Sequence, residues 1–255
     1  MKIRGSGQKT ENFERSVFMD KLFLIIPAYN EQDTIGMVID QWYPVVEKTG
    51  PDSRLVIIND GSRDNTYEIM RKYAETRPQF IPLTKPNGGH GPTVLFGYRY
   101  AIENEADYIF QTDSDGQTDP AEFGDFWKRR ERYDAVLGSR VTRGDGKDRK
   151  FVENTVCFLL QIIFGIRVPD ANAPFRLMKT ELVRKYIGII PEDFNIPNII
   201  FTAFFVYRKE KVRFLEISFK PRQGGTNSID FRKICKIGLK AVGDFRTMKK
   251  EVDKL

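Results

Sequence analysis

A chain of 255 residues that is 40% hydrophobic and 30% charged can bury a full core as one large or two small domains, and a single globular domain is expected. Its net charge of +6 and pI near 9.2 suit a phosphorylated ligand, an anionic membrane surface or nucleic acid, and do not choose among them. Two cysteines, Cys157 and Cys235, far apart and without metal-like spacing, suggest neither a disulfide framework nor a zinc site and fit a reducing compartment; the polar opening residues lack the apolar core of a signal peptide, and no run reaches the ~18 to 20 apolar residues of a membrane span.

Residues 1–20 are polar and basic with glycines and read as a flexible lead-in. Leu22 to Ile26 is a continuous apolar run, as in a strand covered on both faces, and it stops at Pro27-Ala28-Tyr29-Asn30-Glu31. A helix is expected from about Gln32 to Thr34, with Ile35, Val38, Ile39 and Trp42 on one face. Leu55 to Ile58 is a second such strand, ending in Asn59-Asp60-Gly61-Ser62-Arg63-Asp64 ahead of a helix over Tyr67 to Tyr73. A third strand, Phe80 to Leu83, leads into the glycine-rich loop Asn87-Gly88-Gly89-His90-Gly91 and a helix from about Pro92 to Glu103. Tyr108 to Gln111 is the fourth strand. Strands alternating with helices imply right-handed crossovers and a mostly parallel central sheet flanked by helices, with ligands bound beyond the carboxyl ends of the strands.

The fourth strand runs straight into Thr112-Asp113-Ser114-Asp115-Gly116-Gln117. Carboxylates at i and i+2 repel unless a positive charge sits between them, and the oxygen-only set Asp113, Asp115 and Gln117 suits a hard divalent ion such as Mg²⁺ or Mn²⁺. Taken alone, a D-x-D after a strand is more often just an acidic turn. The glycine loop reads equally as a phosphate cradle at a helix N-terminus and as an ordinary tight turn. His90, the only histidine, is no catalyst by itself in such a loop.

Three segments in order, Pro27-Ala28-Tyr29-Asn30-Glu31, Asn59-Asp60-Gly61-Ser62 with Asp64, and Asp113-Ser114-Asp115 with Gln117 and Asp119-Pro120, resemble family 2 glycosyltransferases of the GT-A fold. Gly138-Ser139-Arg140 after the strand Ala135 to Leu137, Asp170 with Phe175-Arg176, and Arg222 with Gly225 resemble the dolichol-phosphate mannosyltransferase and polyprenyl-phosphate sugar transferase branch. The resemblance covers roughly residues 22 to 230, with three departures: Pro174-Phe175-Arg176 for Gly-Phe-Arg, Asn198 near a common Glu, and Asn227-Ser228 near a common Ser-Lys. The expected organisation is a lead at 1–20, a GT-A domain at 21–230 and a basic amphipathic helix at 231–255.

The resemblance implies an inverting, metal-dependent transfer of a sugar from a GDP- or UDP-sugar. Pro27, Tyr29, Glu31 and Asp60, with Gly88, Asp113 and Ser114, would bind the nucleotide sugar; Asp113, Asp115 and Gln117 would hold the metal. Asp115, Arg140 and Arg222 would carry catalysis, and Arg140, Arg176 and Arg222 would meet the acceptor and the diphosphate, since a guanidinium fork suits phosphate oxygens. For Asp60, Glu31 and especially Asp64 the plain alternative is a carboxylate complementing a helix N-terminus.

The acceptor is expected to be a polyprenyl phosphate at the cytoplasmic membrane face. A phosphate is already ionised and needs no base, whereas a glycan hydroxyl would, with Glu192 or Asp193 available. Pro191-Glu192-Asp193 reads equally well as a helix start. Two segments bear on the membrane: the apolar Thr155 to Ile166, buried or dipping into an interface, and Phe231 to Met248, basic and amphipathic, which either rests on an anionic bilayer or docks on its own core. A third class, a non-catalytic phosphate or nucleic-acid binding module, is disfavoured: aromatic residues do not interleave with Lys and Arg, and the expected site is acidic.

Overall fold

The structure, a computed structural model, describes residues 20–140, 147–220 and 231–255, the side chains of 147–154 and 231–241 excepted. The expected lead at 1–20 and the motif residues Arg222, Gly225, Asn227 and Ser228 lie outside the described residues, apart from Asp20.

One seven-stranded sheet organises the chain, in the order β3-β2-β1-β4-β6-β5-β7. Its strands are β1 (Leu22–Ala28), β2 (Arg54–Asn59), β3 (Phe80–Thr84), β4 (Tyr108–Gln111), β5 (Ala135–Arg140), β6 (Arg176–Lys179) and β7 (Val212–Ile217). β3, β2, β1 and β4 pair in parallel, as do β5 and β7, and β6 alone runs against its neighbours β4 and β5. Six carboxyl ends therefore point the same way, and the start of β6 joins them there.

The apolar runs make central strands because both sheet faces are covered. Phe23 and Ile25 of β1, Val56 and Ile58 of β2 and Ile109 of β4 face one core; Leu22, Leu24, Ile26, Leu55, Ile57 and Phe110 face the other. Period-two alternation assigns the side chains, and neither set meets water. Pro27 is tolerated in this central strand because of where its missing N–H would point. Ile25 O accepts from Thr112 N and Ala28 O accepts from Asp60 N, so the alternation turns Pro27 toward β4, which has already ended at Gln111.

Helices α1 (Ile35–Thr49) and α2 (Thr66–Ala74) lie against the second core, where Ile35, Val38, Ile39 and Trp42 are buried on one face of α1 as their spacing predicts. Trp42, Phe110, Phe123, Phe126 and Phe175 form an aromatic cluster beneath β4 and β6, the phenylalanines edge-on to one another and Trp42 tilted against Phe110 and Phe175, with Phe123 and Phe126 supplied by α4 (Phe123–Trp127). The first core is closed by α3 (His90–Glu103), α5 (Lys147–Phe164), α6 (Thr180–Ile187), α7 (Pro197–Tyr207) and α8 (Phe231–Val252). α3 begins two residues before the expected Pro92, because proline at the third helical position still falls in the first turn, whose N–H groups have no partner within the helix. α7 buries almost every side chain, including Phe201, Phe204 and Phe205, at roughly 1.5 to 3 kcal/mol each.

α8 packs on α5 and α7 through Phe245, Met248 and Val252, with Phe245 against Phe164 and Phe194. α5 buries Leu160, Ile163 and Phe164 and leaves Phe158 and Ile162 exposed, so the Thr155 to Ile166 segment is covered on one side only. Among the described residues no helix is long and apolar enough to cross a membrane.

Asp134 ties β5, β6 and β7 at their far end: its carboxylate accepts from Lys179 Nζ at 2.9 Å and from Lys211 N–H at 3.1 Å. Burial pushes its carboxyl up, but these hydrogen bonds and both lysine charges outweigh that and hold it below the usual carboxylate range. A depressed folded-state pKa contributes stability above about pH 4, the unfolded value, that is lost as pH falls through the folded value. Asp134→Asn is therefore expected to cost about 1 kcal/mol near pH 7 and progressively less below pH ~4, read from urea unfolding at each pH. A gap that stays constant down to pH ~3 would show that the ion pair contributes nothing.

Candidate active site

The carboxyl ends of β4 and β5 and the start of α3 open onto a cleft of about 210 Å³, lined by His90, Asp113, Asp115, Gln117, Arg140, Asn172 and the segment Asn195 to Asn198. It lies where open parallel sheets bind ligands. Gly138-Ser139-Arg140, expected after β5, instead forms its last three residues, which carries Arg140 to the rim.

The donor-side loops are tied to one another. Asp60, buried at the end of β2, accepts from Lys85 Nζ at 2.5 Å, from Gly88 N–H at 2.9 Å and from Gly89 N–H at 2.8 Å. The glycine loop thus turns two of its amides onto a protein carboxylate. Asn87 Nδ2 donates to Asp60 O, and Gly61, at φ +64°, lies so close that a Cβ there would come within 2.7 Å of Asn87 N. Glu31 is buried and accepts from Thr34 Oγ1, while Tyr29 is exposed beside it. Asp64 accepts from Thr66 Oγ1, Thr66 N–H and Gln32 N–H at the start of α2; burial raises its pKa, and these bonds more than reverse the rise. Its geometry is that of a carboxylate organising a helix start. Ser114 is buried between the two aspartates, and Pro27 is buried in β1.

Asp113 is positioned by a short chain of polar groups. Tyr98 O–H donates to Gln111 Oε1, Gln111 Nε2 donates to Asp113 Oδ1 at 3.3 Å, and His90 Nε2 meets the same oxygen at 3.0 Å. Burial pushes the Tyr98 phenol up, so it stays a donor. Burial disfavours the charged imidazole of His90, yet the carboxylates of Asp113, Asp115 and Asp60 raise its pKa above the usual value. Asp115 accepts from Gln117 N–H at 3.1 Å across the turn at Gly116. Gln117, named with the two aspartates as a metal ligand, sends its Nε2 to Lys220 O at 2.9 Å and so pins the segment after β7. Among the described residues no group of three or more His, Cys, Asp and Glu side chains forms a closed cage. Two hard carboxylates on an open cleft do fit a divalent cation whose other ligands are phosphate oxygens and water.

Of the three arginines, Arg140 lines the cleft. Asp170, buried, holds it bidentately at 2.7 and 2.9 Å, and its guanidinium lies 5.3 Å from the Phe219 ring centre. Arg176 does not reach the cleft surface: at the start of β6 it is 1% exposed and bonds the Asn198 carbonyl and the Thr202 hydroxyl of α7. Arg222 lies outside the described residues. Glu192 and Asp193 are exposed in a turn, with Glu192 3.9 Å from Arg99, and the helix that the segment suggested begins only at Pro197. Reading the sequence missed Lys85, Tyr98, Gln111 and Thr202 as parts of the site; only Lys85, just ahead of the glycine loop, carried a local signal.

The model of glycosyl transferase family 2 matches residues 23–215, from β1 into β7. The chain belongs to glycosyl transferase family 2. This domain is 29% identical over 178 residues to a dolichyl-phosphate beta-glucosyltransferase of Trichomonas vaginalis, covering 63% of this chain and 52% of that one. It is 23% identical over 217 residues to an undecaprenyl-phosphate 4-deoxy-4-formamido-L-arabinose transferase of Pectobacterium atrosepticum, covering 84% and 64%. The chain thus spans between half and two thirds of the length of these relatives. Among solved structures, glucosyl-3-phosphoglycerate synthase of Mycobacterium tuberculosis, in complex with Mn²⁺, uridine diphosphate and phosphoglyceric acid, superposes with a TM-score of 0.66 at 16% identity, covering 90% of this chain and 78% of that one. The family 2 domain has the GT-A fold.

Gly91 lets the start of α3 meet the 194–195 segment, since a Cβ there would come within 2.3 Å of Phe194 O and 2.5 Å of the Asn195 carbonyl carbon. Gly91→Ala is expected to lower the melting temperature by several degrees and to weaken donor binding by displacing the start of α3. Calorimetric melting and nucleotide titration measure both, and unchanged values would show that α3 and the 194–195 segment can separate freely.

Proposed function

We propose that this domain transfers a sugar, with inversion, from a UDP- or GDP-sugar to a polyprenyl phosphate at the cytoplasmic face of a membrane. Among the described residues, Asp113 and Asp115 of the turn after β4 are the only carboxylates that line the cleft, and Glu192 and Asp193 lie outside it. A hydroxyl acceptor needs a base besides the metal-binding carboxylates, and a phosphate does not, so this lining supports a phosphate nucleophile. The names of the two curated relatives agree with it.

In this reading Tyr29, Glu31 and Asp60 hold the nucleoside, and Gly88 and Ser114 shape the floor around it. Asp113 and Asp115, with Gln117 behind them, would hold Mg²⁺ or Mn²⁺, which when bound offsets the charge that builds on the departing diphosphate. The crystallised neighbour with Mn²⁺ and uridine diphosphate supports a divalent metal and a nucleotide donor. Tyr98 and Gln111 keep Asp113 oriented. Asp170 fixes Arg140 in one orientation against the acceptor side, where Arg222 would join it. Exposed Phe158 and Ile162 on α5, beside the basic α8, support contact with a bilayer surface that carries the acceptor.

Asp115→Asn is expected to abolish metal-dependent turnover without changing the melting temperature by more than a few degrees, measured as diphosphate release from a nucleotide-sugar panel. Full activity in that variant would remove Asp115 from the metal site. Neutralising Glu192 and Asp193 together is expected to change kcat/KM with polyprenyl phosphate less than threefold. A loss of ~10²- to 10⁴-fold would mark a general base and favour a hydroxyl acceptor.

A further inference from the structure

Residues 218–220, which follow β7, touch both the acid turn and Arg140. Ser218 N–H donates to Glu122 Oε1 at 2.9 Å, Lys220 N–H to Gln117 O at 2.8 Å and Lys220 Nζ to Asp119 Oδ2 at 2.7 Å. Gln117 Nε2 donates in return to Lys220 O at 2.9 Å, so the two residues clasp each other through one donor and one acceptor apiece. A carbonyl only accepts, and it therefore turns the NH₂ of Gln117 toward itself and the amide oxygen away. The N–H of Gln117 donates to Asp115 Oδ1. The chain on each flank of Phe219 is thus fixed to the turn that carries Asp113 and Asp115, or to the short helix behind it.

Phe219 is half-buried, lines the cleft and holds its ring 5.3 Å from the Arg140 guanidinium, over the ring face. Ile217 is opposite Arg140 in the β5–β7 register, and Phe219 follows two residues on, which on an extended chain is the same side. Asp170 engages Nε and Nη2 of Arg140, one edge of its fork. An edge contact sets the direction of a guanidinium, and what lies against its face sets the tilt of its plane. Phe219 has no polar side-chain atom, so what it does for an anion it does through Arg140.

We infer that Phe219 is the positioning residue of Arg140, and that the Gln117–Lys220 clasp makes the metal turn the frame that holds Phe219 in place. This rests on the reading of Arg140 as a phosphate-binding group and adds the residues that aim it. Asp115, Gln117, Lys220, Phe219 and Arg140 then form one continuous line of contacts. The placement of the acceptor phosphate relative to the metal turn is built into the protein before either ligand arrives.

The test titrates the full chain, with UDP and Mg²⁺ present, by calorimetry with farnesyl phosphate, and with ethyl phosphate in competition, which carries the anion without the prenyl chain. Phe219→Leu is expected to weaken both phosphates by the same factor, at least about threefold, and to leave UDP affinity unchanged. Phe219→Tyr keeps the ring face and should restore both. In an Arg140→Lys background Phe219→Leu should cost less than about twofold more, because no planar fork is left to tilt. A loss confined to farnesyl phosphate would assign the ring to the prenyl chain, and a full loss in the Arg140→Lys background would separate Phe219 from Arg140; either overturns the inference. Gln117→Glu, which cannot donate to the Lys220 carbonyl, should repeat the loss for both phosphates without weakening UDP. A loss seen only in UDP affinity would make Gln117 a metal ligand alone and overturn the clasp. Phe219→Met serves if the leucine variant does not fold. Undiminished phosphate binding in Phe219→Leu overturns the inference and leaves the proposed reaction standing, whereas a wild-type chain that binds neither phosphate overturns both.

Discussion

The pairing of β6 between β4 and β5 is what the rest of the molecule depends on. Gln111 of β4, Arg176 of β6 and Leu137 of β5 share one register row, with β6 running against both neighbours. Because β6 is reversed, its first residue lies at the same edge of the sheet as the last residues of β4 and β5. The D-x-D turn after β4, Arg140 at the end of β5 and Arg176 at the start of β6 are thereby brought to one edge of the sheet, although they lie far apart in sequence. Phe175, just before this strand, and Leu177 within it enter the core beside Phe110 and Trp42, so the pairing that assembles the site is anchored by burial on the face behind it.

Charge is distributed around that edge in two ways. Some carboxylates are consumed by the protein: Asp60 by Lys85 and two glycine amides, Asp64 by the start of α2, Asp170 by Arg140. These bonds hold the loops in place before any ligand arrives, which lowers the ordering cost of binding. Asp113 and Asp115 line the open cleft, Asp113 held by Gln111 and His90, and Arg176 is buried against the Asn198 carbonyl and the Thr202 hydroxyl.

Packing and chemistry are joined most tightly where backbones touch. Gly91 lets α3 meet the 194–195 segment, and Gly97, one turn and a half further along α3, would place a Cβ 2.4 Å from Ile25 Cγ2. α3 is thus pressed between the central strand and the start of the acceptor wall. Tyr98, on the same helix, packs against Phe201 of α7 and reaches Gln111 with its hydroxyl, so the orientation of Asp113 is tied to the helix packing of the first core.

Much of the fold was legible in the residues themselves. The apolar runs of β1, β2, β3 and β4 fall within the strands that form, and α1 follows the 3.6-residue spacing of its apolar positions, because a strand covered on both faces and a helix covered on one leave different periodicities in any sequence. β6 and β7 left no such trace: Arg176–Lys179 is four residues with a charge at each end, and β7 exposes side chains along an edge. Their pairing is decided by neighbours distant in the chain. The acid turn after β4 and the arginine positions were also local, and could be named. Which arginine pairs with Asp170 and which is buried against α7 was not, because pairing depends on the geometry of elements that sequence order keeps apart. Asp170 reaches Arg140 across thirty residues and Asn198 reaches Arg176 across twenty-two, and only the closed sheet with α7 laid over it brings each pair into contact.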